Sequence, residues 1–514
     1  MTTLLRQYGL YAFFFALAVG TVGCDSDNPV DPPVDTTEYC DDNPANFGCL
    51  DSGVVYDTTG TDVDDRPIIN VRDVQGGIGG ELGDDPQTTV TWSNQYTYVL
   101  DGLVFVNAGQ TLEIEAGTII RGRSGQGRNA SALIVARGGR IEARGEADAP
   151  IILTALNDDV DDPADLVENG APRSGLWGGL IVLGDAPTNI AAGETNIEGI
   201  DVSEPRGLYG GDDEDDNSGT IRYVSIRHGG TLIGEGNEIN GFTLGAVGSG
   251  TTIEYVEVFA NQDDGVEWFG GTAEAKYLAV AYSGDDMYDY DQGYNGVNQY
   301  VFGLMDSEFG DNAGEHDGGD SDLGGDLGEA ALPYAVPVFA NVTYVGSGLT
   351  APNSSRVLTI RDNAGGQYWR AIFYGFQNGV RIEDRDDEDT TENDGGDSRE
   401  RAEAGDISFV DVVISNVVAA TPTFDEVFGF YEEAPDDDTA VDPDDLVGPI
   451  TYADPGFTIN RGQGGALDLS SSLGAGSLTP FPGGLGLEET DFIGAFGEEN
   501  WLEGWTALSQ FNSF

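Results

Sequence analysis

TIEYVEVFANQDDGVEWFGG (Thr252–Gly271) is followed, after Thr272, by AEAKYLAVAYSGDDMYDYDQG (Ala273–Gly293), and the second stretch repeats the first. Tyr255 and Tyr277, Val258 and Val280, Asp264 and Asp286, and Glu267 and Asp289 each stand 22 residues apart. Inside each stretch apolar and polar residues alternate over short runs that end in glycine, the period of strands and not of helices. The next apolar run, Tyr300–Leu304, begins 23 residues after Tyr277. Upstream, LEIEAGTIIRG from Leu112 returns as LIVARGGRIEARG from Leu133, with Leu112 and Leu133, Ile114 and Val135, Gly117 and Gly138, and Ile120 and Ile141 each 21 apart.

A period of 20 to 23 residues with alternating strands and turn glycines is the length of one coil of a parallel β-helix. Each coil would stack on the last at the strand spacing of about 4.8 Å. Further coils are read at Thr220, Phe339, Arg356, Tyr368 and Ile407, and Leu100–Val106 is taken as the opening rung. The fold class predicted is all-β: one elongated single-stranded parallel β-helix over 94–476, preceded by an N-terminal cap at 66–93. An array of two-sheet sandwiches is the structural alternative. Residues 477–514 are expected to form a C-terminal cap whose Phe492, Phe496, Trp501 and Trp505 cover the exposed edge of the last coil. Two acidic insertions, from Asp384 and from Glu432, read as solvated loops.

The N-terminus reads as a secretory signal of the lipoprotein kind over 1–23. Arg6 precedes an apolar run from Tyr8 to Val19 and then Gly20-Thr21-Val22-Gly23-Cys24. That run is too short for a stable transmembrane helix. Cys24 is the expected lipidation site, so the lipid bilayer is the first expected partner. Residues 24–65, rich in Pro, Asp, Asn and Thr, are expected to form an acidic tether carrying a Cys40–Cys49 disulfide. The expected address is the outer membrane, lipid-anchored and facing the cell exterior.

The charge balance limits the partners. Ninety-one acids face 22 basic residues, a net charge of −69, and Lys276 is the sole lysine. Such a field repels nucleic acid and anionic lipid surfaces. It fits a halophile proteome, where high salt screens the self-repulsion, or a collector of divalent cations.

Acids concentrate on the two repeated coils. Asp263, Asp264 and Glu267 are matched by Asp285, Asp286 and Asp289, so in-register stacking places carboxylates directly over one another. Like charges that close raise each other's pKa or need a cation between them, and oxygen-only donors suit Ca²⁺. The alternative is a polar turn whose aspartates accept from backbone N–H groups. Asp213, Asp215 and Asn217 in GDDEDDNSG have the alternate spacing of a calcium loop, although Ser218 and Val224 stand where an EF-hand needs Gly and Glu. Trp268, Tyr288, Tyr290 and Tyr294, near the acidic turns, would suit stacking on sugar rings or else fill the coils. Two histidines, His228 and His316, are too few for a typical zinc site.

LEIEAGTIIRG, SGLWGGLIVLGDAP, YGGDDEDDNSGTIRYVSIRHGG, NQDDGVEWFGGT, SGDDMYDYDQG and the terminal FIGAF with WLEGWT together resemble a group of uncharacterised lipoproteins and secreted proteins of Bacteroidota and related Gram-negative lineages. The resemblance runs from about Asn94 to the end and implies a right-handed, pectate-lyase-like solenoid, with no established activity. The paired acidic motifs are also similar to those of polygalacturonase-type glycoside hydrolases. That likeness implies catalytic roles for Asp264, Asp285 and Asp286. The family's histidine motif has no counterpart at Asp306-Ser307-Glu308, and its Arg-Ile-Lys motif is met only by Arg381-Ile382-Glu383. The sequence therefore supports a non-enzymatic binding or adhesion scaffold for a glycan, an envelope component or a protein. A divergent polysaccharide-active enzyme and a purely structural envelope protein remain the other readings.

Overall fold

The computed structural model describes residues 54–514 apart from 63–65, 74–75, 79–88, 164, 235–236, 320–322, 386–395, 432–445, 447, 472 and 474–475. The expected signal, Cys24, Cys40, Cys49 and most of the tether lie outside the described residues, as does most of the insertion from Glu432.

The chain folds as a parallel β-helix. Ten parallel strands form one sheet, here sheet I: Leu103–Val106, Ala132–Val135, Leu180–Leu183, Phe242–Gly245, Val266–Phe269, Tyr288–Asp291, Asn312–Asp317, Arg356–Arg361, Asn378–Glu383 and Phe428–Tyr431. The rest of each coil belongs to an 18-stranded sheet, sheet II. Its long strands Thr252–Phe259, Ala275–Ala281 and Val297–Leu304 each turn a corner midway. Tyr255, Tyr277 and Tyr300 occupy those corners with φ of 55°, 61° and 64° and drop out of the strand pairing. Each of these coils is therefore three-sided.

Register is held from coil to coil, which is why the 22-residue spacing was readable. Val256, Leu278, Val301 and Val342 form one inward column, and Val266, Tyr288, Gly314, Leu358 and Val380 form another. Burying each large aliphatic side chain of such a column stabilises the fold by about 1.5–3 kcal/mol.

The left-handed corners cost backbone energy for residues other than glycine, and the corner side chains offset it. The rings of Tyr223, Tyr255, Tyr277 and Tyr300 stack along the corner with centroids 4.3, 4.2 and 4.5 Å apart. Asn341, Arg370 and Asp411 continue the column, also at positive φ.

The structure corrects two boundaries and one role. Coiling starts before residue 94, because Pro67–Asp73 pairs in parallel with Thr97–Leu100 and Thr89–Trp92 with Thr111–Ile114. Val54–Thr61 pairs antiparallel with Pro67–Asp73, so the end of the expected tether is a hairpin strand that covers that sheet edge. Third, the C-terminal aromatics do not cap the last coil. They run as a strap along the corner column of the middle coils: Trp505 meets Tyr223 and Tyr255 edge-on, Trp501 meets Tyr277, and Phe492 stacks on Tyr300. The corner tyrosines leave aromatic surface that needs cover, and the strap supplies it.

Polar anchors fix the strap. Buried Glu257 accepts from Ala507 N at 2.7 Å and Leu508 N at 2.9 Å. Arg370, 1% exposed, donates to Thr479 O, Thr490 O and Glu489. Lys276 meets Glu488 at 2.7 Å. The insertion from Asp384 also departs from a loop, since Ser398–Ala404 is a helix with Asp397 as N-cap and Gly405 as left-handed C-cap. No helix among the described residues is long and apolar enough to cross a membrane.

Candidate functional site

The repeated acids lie where the chain turns into sheet I and on the first strand residues beyond. On the first of the two coils the turn needs glycine, because a Cβ at Gly265 would lie 2.4 Å from Val280 Cγ1 and 2.6 Å from Met287 O. Two residues before the aligned positions Phe242, Val266, Tyr288 and Gly314 stand Asn240, Asp264, Asp286 and Asn312, which form a column. Asp264 Oδ1 accepts from Asp286 N at 2.9 Å. Asp286 Oδ1 accepts from Asn312 N at 2.5 Å and from Asn312 Nδ2 at 3.0 Å. Asn312 Oδ1 in turn accepts from Thr359 Oγ1 at 2.9 Å. Each buried aspartate thus satisfies the backbone of the next coil.

A second column stands on the outward face of sheet I. Thr243, Glu267, Asp289, Glu315, Thr359 and Arg381 pair in that order. Glu267 is buried and accepts from Asn240 Nδ2. Asp289 is half-buried as a residue, yet its Oδ1 is cut off from solvent and meets no hydrogen-bond donor. Asp264, Glu267 and Asp289 bring one oxygen each to within 4.8 Å of the others. A neighbouring group, Asp263, Asp264 and Asp285, and a further one, Asp285, Asp286 and Asp311, have the same closeness nearer the surface.

Electrostatics follow from this crowding. Burial, reinforced by Asp286, Asp263 and Asp285, pushes the Asp264 carboxyl well above its ordinary range. Burial and then Asp264 push Glu267 up; burial, Glu267 and Asp264 do the same to Asp289. Asp286 is raised by burial, then by Glu315 and Asp285, and Asp285 by burial, then by Asp311. Among the described residues, ion pairs along this ladder begin at Glu315, which meets Arg361 at 3.3 Å. Arg361 also holds Asp317 at 2.8 Å. Another triple, Glu329, Asp362 and Glu383, is already served by Arg385, which pairs with all three.

Other expected site residues are placed differently. Trp268, Tyr288, Tyr290 and Tyr294 are each 0% exposed and cannot meet a sugar from solvent. They fill the coils instead: Trp268 stacks on Tyr294 at 5.1 Å and Tyr290 on His316 at 4.1 Å. Trp268, Tyr288 and Tyr290 alternate with the outward acids on the same strands, so their side chains point inward by strand parity. His316 is buried, bonded to Tyr368 Oη at 2.5 Å, and burial lowers its pKa to about 3. Asp213, Asp215 and Asn217 form a hydrogen-bonded turn. Asp213 Oδ1 accepts from Asp215 N at 3.1 Å, and Asn217 Oδ1 from Gly219 N and Arg140. No group of three metal-ligating acids among the described residues includes Asp213 or Asp215.

Asp311 and Glu315 escaped the sequence reading. They belong to the same columns, but stand 26 residues after Asp285 and Asp289, because that coil carries four extra residues. The spacing broke while the register did not.

The hydrolase arrangement fares poorly. Asp286 is 3% exposed with Oδ1 held by Asn312, and Asp264 Oδ1 holds Asp286 N. One oxygen of Asp264 and one of Asp285 lie within 4.8 Å of each other. Elsewhere, an open groove of about 670 Å³ lies where the chain leaves sheet I at Gly271 and Gly293. Pro187, Pro333, Val336 and the 66%-exposed Leu332 wall it, with Tyr334, Glu214 and Asp406. Arg401 covers the Tyr334 ring at 4.0 Å.

The family model described as pectate-lyase like beta helix domain matches residues 83–441. No curated protein and no solved structure matches the chain.

Proposed function

This chain belongs to the pectate-lyase-like β-helix domain family, and from that premise we propose a rigid, non-catalytic scaffold exported to the outer surface of the cell. Cys24 anchors it by lipid, and the coils present a binding face to a glycan, an envelope component or a protein. The observation that carries this reading is the use made of the best-placed acids. Asp264 and Asp286 each commit Oδ1 to the backbone N–H of the following coil, a structural use of the acids that a hydrolase would need.

The partner meets the groove beside sheet I. Its apolar wall favours contact without charge, and Glu214 and Asp406 disfavour polyanions. The test is a panel of acidic and neutral polysaccharides given to the mature chain, read both for reducing-end release and for retention. Retention without cleavage, weakened by Leu332→Asp at the groove, is expected. Cleavage that disappears in the Asp264→Asn, Asp285→Asn, Asp286→Asn triple variant would replace the scaffold by a polysaccharide-active enzyme.

A further inference from the structure

We propose that Asp264, Glu267 and Asp289 hold one divalent cation, Ca²⁺ by donor chemistry, that staples two adjacent coils of sheet I. The site is distinct from the groove and independent of any glycan partner. Three observations converge on it. The three carboxylates bring oxygens within 4.8 Å of one another, a span that fits donors grouped around one ion at about 2.3–2.6 Å. Asp289 Oδ1 is sealed from solvent without a donor, so one carboxylate oxygen of this group is already stripped of water. The third observation is a contrast within the same molecule.

Where Glu329, Asp362 and Glu383 converge, Arg385 supplies the neutralising charge at 2.7 and 2.8 Å from Asp362 and Glu383. Where Glu315 and Asp317 converge, Arg361 does so. At Asp264, Glu267 and Asp289 no arginine or lysine among the described residues takes that part. Leaving three crowded carboxylates without a neutralising positive charge is costly in a protected site. A hard cation answers the charge and all three acids donate oxygen only, which selects Ca²⁺ over nitrogen- and sulfur-preferring metals. Glu267 and Asp264 come from one coil and Asp289 from the next, so the ion ties the coils together and binds only the folded chain.

The geometry also separates this site from the surface acids. Asp285 and Asp311 are exposed and Asp263 is half-buried, and all three adjoin the turn, not the strand. Ions gathered there are screened by salt, while a buried three-carboxylate site is screened much less.

The test is equilibrium dialysis of radioactive Ca²⁺ against the metal-stripped mature chain in molar sodium chloride, with thermal melts in parallel. The wild type is expected to retain one tight site per chain and to melt higher with Ca²⁺ than with equal ionic strength of sodium chloride. Asp289→Asn and Glu267→Gln are each expected to lose the site and the Ca²⁺-dependent rise, with an unchanged β-sheet circular dichroism spectrum. Asp215→Asn, in the exposed turn, keeps both. Wild type that binds no Ca²⁺ in molar salt overturns the proposal without recourse to any variant. Loss of the site in Asp285→Asn, with retention in Asp289→Asn and Glu267→Gln, overturns it by placing the ion at the surface turn.

Discussion

Removing the Glu257 carboxylate by Glu257→Ala should release the C-terminal strap while leaving the coils intact. Glu257 is fully buried, accepts from Ala507 N and Leu508 N, and receives the Ser225 hydroxyl at 2.5 Å. Burial raises its pKa, and buried Arg227 beside it works in the opposite direction. Truncation therefore costs the two strap bonds and leaves the guanidinium with less compensation, a penalty of about 3–5 kcal/mol for breaking a buried charged arrangement. Because the two N–H groups belong to the short helix Ala507–Phe511, most of that penalty falls on local opening of the strap. At about 1.4 kcal/mol per decade, strap amides should exchange roughly 10²- to 10³-fold faster. The assay is native-state hydrogen exchange read by mass spectrometry on peptides covering 500–514 and 266–281. Faster exchange confined to the first peptide is expected, with Glu257→Gln in between because the amide keeps one acceptor. Equal acceleration of both peptides, or none in either, would refute the idea that the strap opens as a separate unit.

At the corner, Tyr277→Ala removes ring contacts to Tyr255 and Tyr300, an expected loss of about 1–3 kcal/mol; Tyr277→Gly should melt higher than the alanine variant, because glycine relieves the φ of 61°. With divalent cations chelated, stability should fall as pH rises from the ordinary carboxylate range. Asp264, Glu267, Asp286 and Asp289 have folded pKa values above their unfolded ones, so the folded chain holds extra protons and loses that advantage as pH climbs through the raised values. Denaturant midpoints from pH 4 upward check the sign, and a rise with pH would contradict it. Cys24→Ser should abolish palmitate labelling and release the protein from membranes; unchanged labelling would exclude the anchor.

How much was legible in the chain depended on whether the information was periodic. The Tyr255–Tyr277 and Glu267–Asp289 spacings announced coils and stacked acids because in-register parallel pairing copies a 22-residue sequence period directly into space. Asp311 and Glu315 were lost when four residues entered one coil. The aromatic assignments failed for another reason. Trp268 and Tyr290 sit next to acids in sequence, and only strand parity, fixed by the sheet, decides that neighbours face opposite ways. The strap was the hardest to foresee. Its contacts join Ala507 to Glu257 and Thr490 to Arg370 across long stretches of chain, and no local pattern in a corner tyrosine says that a distant tryptophan will cover it.

The same register that builds the core also creates the electrostatic problem on its outside. A parallel coil that repeats an acid must place carboxylate over carboxylate, at a spacing too short for water to separate them fully. Along sheet I the chain meets this in three physically different ways. At Asp264 and Asp286 the negative charge is turned onto backbone N–H groups of the next coil. At Glu315, Asp317 and Glu383 it is matched by Arg361 and Arg385. At Asp289 neither device is used, and a buried oxygen is left without a donor. With 22 basic residues for 91 acids, arginine cannot serve every coil, so the remaining neutralisation has to come from solution. Where carboxylates are exposed, dissolved monovalent salt is enough, since mobile ions screen them. Where they are enclosed, screening is weak and only a bound ion or a bound proton lowers the charge. A protein of this composition is therefore expected to depend on salt through its surface and on a specific cation through its interior, and the two dependences separate when ionic strength and Ca²⁺ are varied independently.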